Sequence, residues 1–178
     1  MKQIILLAAV VLFAVACQNA ADKKDETKTT EMKAPAASMF KANYSNAFEM
    51  GDMALADKAV LNSWKNWEAN KYEGLTDFFA DSVTALWADG STFVGKKDSL
   101  IAEFKKVRGN LTTVVDSIDA YMPVYSTDKK ENWALIWVTD YTTDKKGVKD
   151  TTAFQETWRF NKDGKADMVL QFQRKRKK

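Results

Sequence analysis

Histidine is absent from this chain, and cysteine occurs once, at Cys17. These two absences exclude most familiar site chemistry. Zinc, copper and haem centres built on imidazole or thiolate have no ligands here. Catalysis by a histidine base or a cysteine nucleophile has no residues to run on. A single cysteine forms no intrachain disulfide, so the fold must be held by its core. No metal and no cofactor is therefore expected. Any acid or base must be Asp, Glu, Tyr or Lys. A large charge excess is also missing: 27 Lys and Arg stand against 24 Asp and Glu. A net charge of +3 carries no signature of nucleic-acid binding.

Long hydrophobic runs are missing too, with one exception. Residues 4–16 are apolar and uncharged, and Lys2 precedes them. This stretch is shorter than the roughly 20 residues that span a bilayer, and it fits the apolar core of an export signal. It ends on Ala14-Val15-Ala16-Cys17. This segment resembles a bacterial lipobox, in which small residues precede a cysteine that receives lipid. The resemblance implies a signal over 1–16, lipidation of Cys17 and a lipid-anchored protein of the bacterial cell envelope, with the leaflet left open. Ordinary cleavage before a free Cys17 is the alternative. One acyl chain gives only marginal membrane binding. The diacylglyceryl-type modification that a lipobox implies would anchor the chain without a membrane-binding surface on the domain.

Residues 17–38 are rich in Lys, Asp, Glu, Thr and Ala and poor in large apolar side chains. Such a segment reads as a flexible tether. Residues 39–53 hold Phe40, Tyr44 and Phe48 without a clear period and read as an N-terminal arm. The spacing of Ala56, Ala59, Val60, Ser63, Trp64 and Trp67 predicts an amphipathic helix over 54–70. Leu75, Phe78 and Phe79 predict a short second helix. Strands are predicted at 83–88 and 92–94, around the turn signal Asp89-Gly90. Leu100, Ile101, Phe104 and Val107 predict a third helix over 97–108. Four long strands follow, at 112–125, 132–142, 151–160 and 166–174. Their connections hold Asp128-Lys129-Lys130, Asp144-Lys145-Lys146-Gly147 and Lys162-Asp163-Gly164-Lys165. Short connections between long strands predict antiparallel pairing. Helices gathered at one end and strands at the other make residues 54–174 an α+β domain. Residues 175–178 form a basic tail.

This order, together with three segments, resembles the nuclear transport factor 2-like superfamily and its SnoaL-like branch. Phe78-Phe79-Ala80-Asp81-Ser82-Val83 is similar to the family's F-A-D-D-V segment. Phe93-Val94-Gly95-Lys96-Lys97-Asp98-Ser99-Leu100-Ile101, with Phe104, is similar to its G-x-x-x-I-x-x-F entry into the third helix. Trp158-Arg159-Phe160-Asn161-Lys162-Asp163-Gly164-Lys165 is similar to its last hairpin. The resemblance covers 54–174 and is nearest to SnoaL-like lipoproteins of Bacteroidetes type. It implies a cone: three N-terminal helices packed on a curved, mostly antiparallel sheet of about six strands. It also implies an apolar cavity, and a homodimer through the outer sheet face. In the ketosteroid isomerase branch a catalytic aspartate sits in the first strand of this fold. Counting along this chain puts Trp87 there, and Asp89 falls in a turn. The enzymatic inference is weakened at that point.

Trp64, Trp67, Trp87, Trp137, Phe154, Trp158 and Gln171 are the expected ligand-pocket residues. The same aromatics also serve core packing. Glu156 and Asp140 are the candidate catalytic residues, because a carboxylate inside an apolar cone has a raised pKa and suits general-base work. Facing water is the ordinary fate of such residues. Asn161-x-Asp163-Gly164 resembles a fragment of a calcium loop, but Arg159 and Leu170 fall at ligand positions, so it is a hairpin turn. The reading of function is a non-catalytic pocket domain at the cell envelope, binding a small apolar or aromatic molecule. The alternatives are a dimerisation or interaction module, and an isomerase- or cyclase-type enzyme using a pocket carboxylate.

Overall fold

The computed structural model describes residues 39–175. The signal over 1–16, Cys17, the tether over 17–38 and the tail beyond residue 175 lie outside the described residues.

A short strand β1 (Phe48–Met50) precedes the first helix. That helix starts as α1 (Met53–Val60), passes through a π-helical segment (Leu61–Lys65) and ends as α2 (Asn66–Glu68). The Asp52 carboxylate caps its start, accepting from the Ala54 amide at 2.9 Å. Helix α3 (Leu75–Phe78) is one turn, and β2 (Phe79–Leu86) begins directly after it. Then come β3 (Thr92–Lys96) and α4 (Lys97–Arg108). The long strands are β4 (Leu111–Ser126), β5 (Glu131–Asp144), β6 (Lys149–Phe160) and β7 (Ala166–Lys175). They form one seven-stranded sheet in the order β1-β4-β5-β6-β7-β2-β3. All neighbours are antiparallel except β2 and β7, which are parallel.

Two expectations are corrected here. The sheet has seven strands rather than about six. The added strand is β1, which pairs Phe48 with Ser126 and Met50 with Val124, inside the segment read as an arm. Its three side chains are all exposed, so it has no alternation to betray it. The first helix is not a regular helix throughout, because the π-helical segment interrupts it. Such segments often occur at functional sites, and three of its residues, Asn62, Ser63 and Trp64, line the cavity described below.

The helices pack on the inner face of the sheet. Ala56 and Ala59 have no exposed surface and let α1 lie close to the strands. Ala134, Ile136 and Val138 of β5, Trp158 and Phe160 of β6 and Val169 of β7 form the sheet side of the core. Phe78 sits against Phe79, Trp158 and Phe160, with ring centroids 4.9, 5.3 and 6.2 Å away, and fills one end of the domain. A register shift in β4 between Ile118 and Ala120 marks a bulge, which bends a strand and helps the sheet curve. Buried Arg108 closes the helical layer. Its guanidinium donates to the carbonyls of Trp67, Glu68 and Leu111 at 2.9, 3.1 and 3.2 Å. It thereby ties the end of the first helix, at Trp67 and Glu68, to the start of β4 at Leu111.

Candidate functional site

Between the first helix and the inner sheet face the core stops short and leaves a half-open cavity of about 470 Å³. That is within the range of small-molecule pockets. The helix supplies Trp64 and Trp67, the strands supply Phe154, Glu156, Trp158, Gln171 and Asp140, and Trp87 comes from the turn just after β2. Phe79 and Phe104 complete an aromatic wall. Trp87 and Trp67 both meet Phe104 edge-on, at 5.8 and 6.4 Å. Trp64 lies 5.4 Å from Phe154.

One expected pocket residue is not there. Trp137 is 36% exposed and stands on the outer face of the sheet, across the β5–β6 ladder from Gln155. Phe172 flanks Gln155 on its other side. Side chains alternate across a strand. In β5 the smaller set, Ala134, Ile136, Val138, Asp140 and Thr142, faces inward, because the helices leave little room above that strand. The larger set, Trp133, Leu135, Trp137 and Tyr141, faces out.

Glu156 is the deep polar group of the site, with only 4% of its surface exposed. Three side chains donate to it. The indole N–H groups of Trp64 and Trp158 reach Oε2 at 2.9 and 2.8 Å. The Gln171 amide reaches Oε1 at 2.9 Å. Burial raises the pKa of Glu156, and the three hydrogen bonds pull it back. A carboxylate held this way is a fixed acceptor. Most of its lone-pair sites are already used.

The sequence reading missed a second acidic feature. Asp116 of β4 lies opposite Asp140 of β5 in the strand register. Asp116 is 4% exposed, and Asp140 is half-buried and faces the cavity. Apart from a proton the two carboxyls can share, no donor among the described residues reaches either Asp116 carboxyl oxygen or Oδ1 of Asp140. Asp116 is pushed up to about 8, first by burial and then by the charge of Asp140 and a hydrogen bond with it. Asp140 is pushed up to about 6, again chiefly by burial. The two carboxyls share a proton around neutral pH, because two charges so close cannot both be ionised cheaply. Among the described residues no group of three or more acidic side chains is placed to hold a metal ion. Only cross-strand register could have revealed the pair, because the two residues are far apart in sequence.

No protein-family profile matches the chain, and no curated protein matches it. Solved structures do match. A protein of unknown function from Exiguobacterium, described as NTF2-like, superposes with a TM-score of 0.54 at 15% identity, over 67% of this chain and 98% of that one. A Mycobacterium tuberculosis protein solved in complex with estradiol-17beta-hemisuccinate superposes with a TM-score of 0.54 at 18% identity, over 66% and 92% of the two chains. A putative SnoaL-like polyketide cyclase from Shewanella denitrificans superposes with a TM-score of 0.52 at 10% identity, over 67% and 91%. This chain thus carries a domain with the nuclear transport factor 2-like fold.

Proposed function

We propose that this domain is a receptor for a small, flat, largely apolar molecule, held at the bacterial cell envelope by lipid on Cys17. The observation that carries the reading is the cavity itself. Its walls are Trp64, Trp67, Trp87, Phe104 and Phe154, and its deep end offers Glu156, a buried carboxylate already fixed by three donors. A wall of aromatics with a few placed polar groups is what small-molecule recognition needs. The steroid-bound neighbour supports the reading by analogy of fold alone.

Titrating the full chain with the flat ketone β-tetralone should give saturable one-site binding by calorimetry. Thr142→Trp, which puts a bulky side chain into the cavity lining, should abolish it. Absence of saturation, or binding indifferent to that substitution, would sink the reading. The anchor is tested separately: Cys17→Ser should move the protein from the membrane fraction to the soluble one. Retention of the variant in membranes would rule the anchor out.

A second reading is an isomerase-type enzyme. The Asp116–Asp140 pair favours it, because a carboxyl displaced to about 6 is a stronger base than an ordinary one. Asp140 is the better base, since three donors already occupy most of the lone-pair sites of Glu156. The same ketone tests this. In heavy water its α-hydrogens should exchange faster with the protein than without it, and Asp140→Asn should stop the acceleration. Equal exchange with and without the protein would leave binding as the sole function.

A further inference from the structure

The cavity holds two carboxyl sites, and the protein treats them differently. Glu156 receives three donors from Trp64, Trp158 and Gln171. Beyond the proton its two members share, the Asp116–Asp140 pair receives no donor from the other described residues at three of its four oxygens. Buried polar oxygens are rarely left this way.

Cations stand near the pair, yet their donors are directed elsewhere. Lys65 Nζ donates to the Asp116 backbone carbonyl at 2.7 Å and to Glu68 at 2.8 Å. Arg108 spends its donors on three backbone carbonyls. Its charge still lowers the pKa of Asp140. Lys175 pairs with Asp150 at 3.1 Å. Glu68 and Asp150 add negative charge from the helix side and from β6. Lys71 lines the cavity on the helical side. Asp140 lines the cavity and Asp116 does not, so the pair meets a ligand through Asp140, whose Oδ1 is buried and whose Oδ2 is the oxygen left to face it.

Resting on the pocket reading above, we infer that the natural ligand carries a protonated amine on its flat apolar body, with the ammonium docked on Asp140 and Asp116 supporting Asp140 from behind. An ammonium brings three N–H donors and a positive charge, which is what the pair lacks. The aromatic faces of Trp64, Trp67 and Phe154 line the same cavity and attract cations through their ring quadrupoles. Asp140 is the residue that touches the ligand. Asp116 does not line the cavity and acts as a positioning residue.

Binding should carry a proton signature. The apo pair shares a proton, and an arriving ammonium favours both carboxylates ionised. Binding of the amine at pH 7 therefore releases a proton to solvent, and affinity rises with pH between about 6 and 8.

The test uses the full chain and two probes of one shape: β-aminotetralin, protonated at neutral pH, and β-tetralol, which is neutral. Calorimetry in two buffers of different ionisation enthalpy reads affinity and proton release together. The amine should bind about tenfold tighter than the alcohol or better, as expected for a charge-assisted hydrogen bond. Asp140→Asn should remove that preference, so that the amine and the alcohol bind with similar affinity. Asp116→Asn should keep the preference but remove the proton release, a change that simple loosening of the fold would not produce. An amine that binds no tighter than the alcohol overturns the inference and leaves the pocket reading intact, as does a preference that survives Asp140→Asn. Failure of both probes to bind overturns the pocket reading with it.

Discussion

Asp116→Asn is expected to make the protein more stable at pH 8 and to flatten most of its loss of stability between pH 5 and pH 8. In the unfolded chain both carboxyls titrate near 4. In the folded protein Asp116 holds its proton up to about 8 and Asp140 up to about 6. Between these limits the native state binds more protons than the unfolded state. Stability therefore falls as pH rises through that window. Each extra proton held by the native state costs up to about 1.4 kcal/mol per pH unit. Glu156 is also raised by burial and acts in the same direction, so some slope should remain in the variant. Exposed Asp81, Asp89 and Asp128 are shifted the other way by hydrogen bonds, and their influence is confined below about pH 4. Asparagine removes the like charge and offers an amide donor to Asp140 Oδ1. Melting temperatures across the pH range decide the matter. A parent protein whose melting temperature is flat or rises from pH 5 to pH 8 would refute the account, as would an Asp116→Asn variant that keeps the parent's slope.

Trp158→Ala is expected to be the most damaging single substitution in the described core. Trp158 is 2% exposed, with ring centroids 5.3 Å from Phe78 and 6.0 Å from Phe79. Truncating a buried aromatic costs about 3–5 kcal/mol through lost transfer energy and a residual cavity. It also removes one of the two indole donors on Glu156 Oε2, and a hydrogen bond to a charged group contributes about 1.5–3 kcal/mol. Trp158→Phe separates the two effects, because it keeps most of the packing and loses the donor. Urea midpoints should fall for both variants, with the alanine variant falling much further at an unchanged slope. A loss below about 1 kcal/mol for Trp158→Ala would show that the ring is not packed as described.

Much of the fold was legible because it is local. Alternation along β6 and β7 predicted strands that the structure extends by a residue or two. Gly147 and Gly164 take positive φ at two of the three hairpin tips between the long strands, where turns were expected. The spacing of Ala56, Ala59, Trp64 and Trp67 predicted the first helix. Strand β1 was not legible, since a three-residue edge strand is made by backbone pairing with β4 and needs no side-chain pattern. The π-helical segment was not legible either, because a single widened turn is too short to display a side-chain period of its own.

The candidate site divides along the same line. Composition alone removed histidine and thiol chemistry from the domain. Strand periodicity put Phe154, Glu156 and Trp158 on one side of β6. It also divided β5 into two sets, but it did not say which set faces in, and Trp137 was misplaced for that reason. What fills the space above a strand is settled by helix docking, which no local pattern encodes. The three donors on Glu156 come from positions 92, 15 and 2 residues away. Asp116 meets Asp140 through the register of two strands. The sequence by itself determined which elements form, which side chains share a face and which chemistries are absent. Tertiary structure decided which carboxyl is satisfied and which is left wanting a donor, because burial and hydrogen-bond partnership depend on what packs against a residue rather than on what precedes it in the chain.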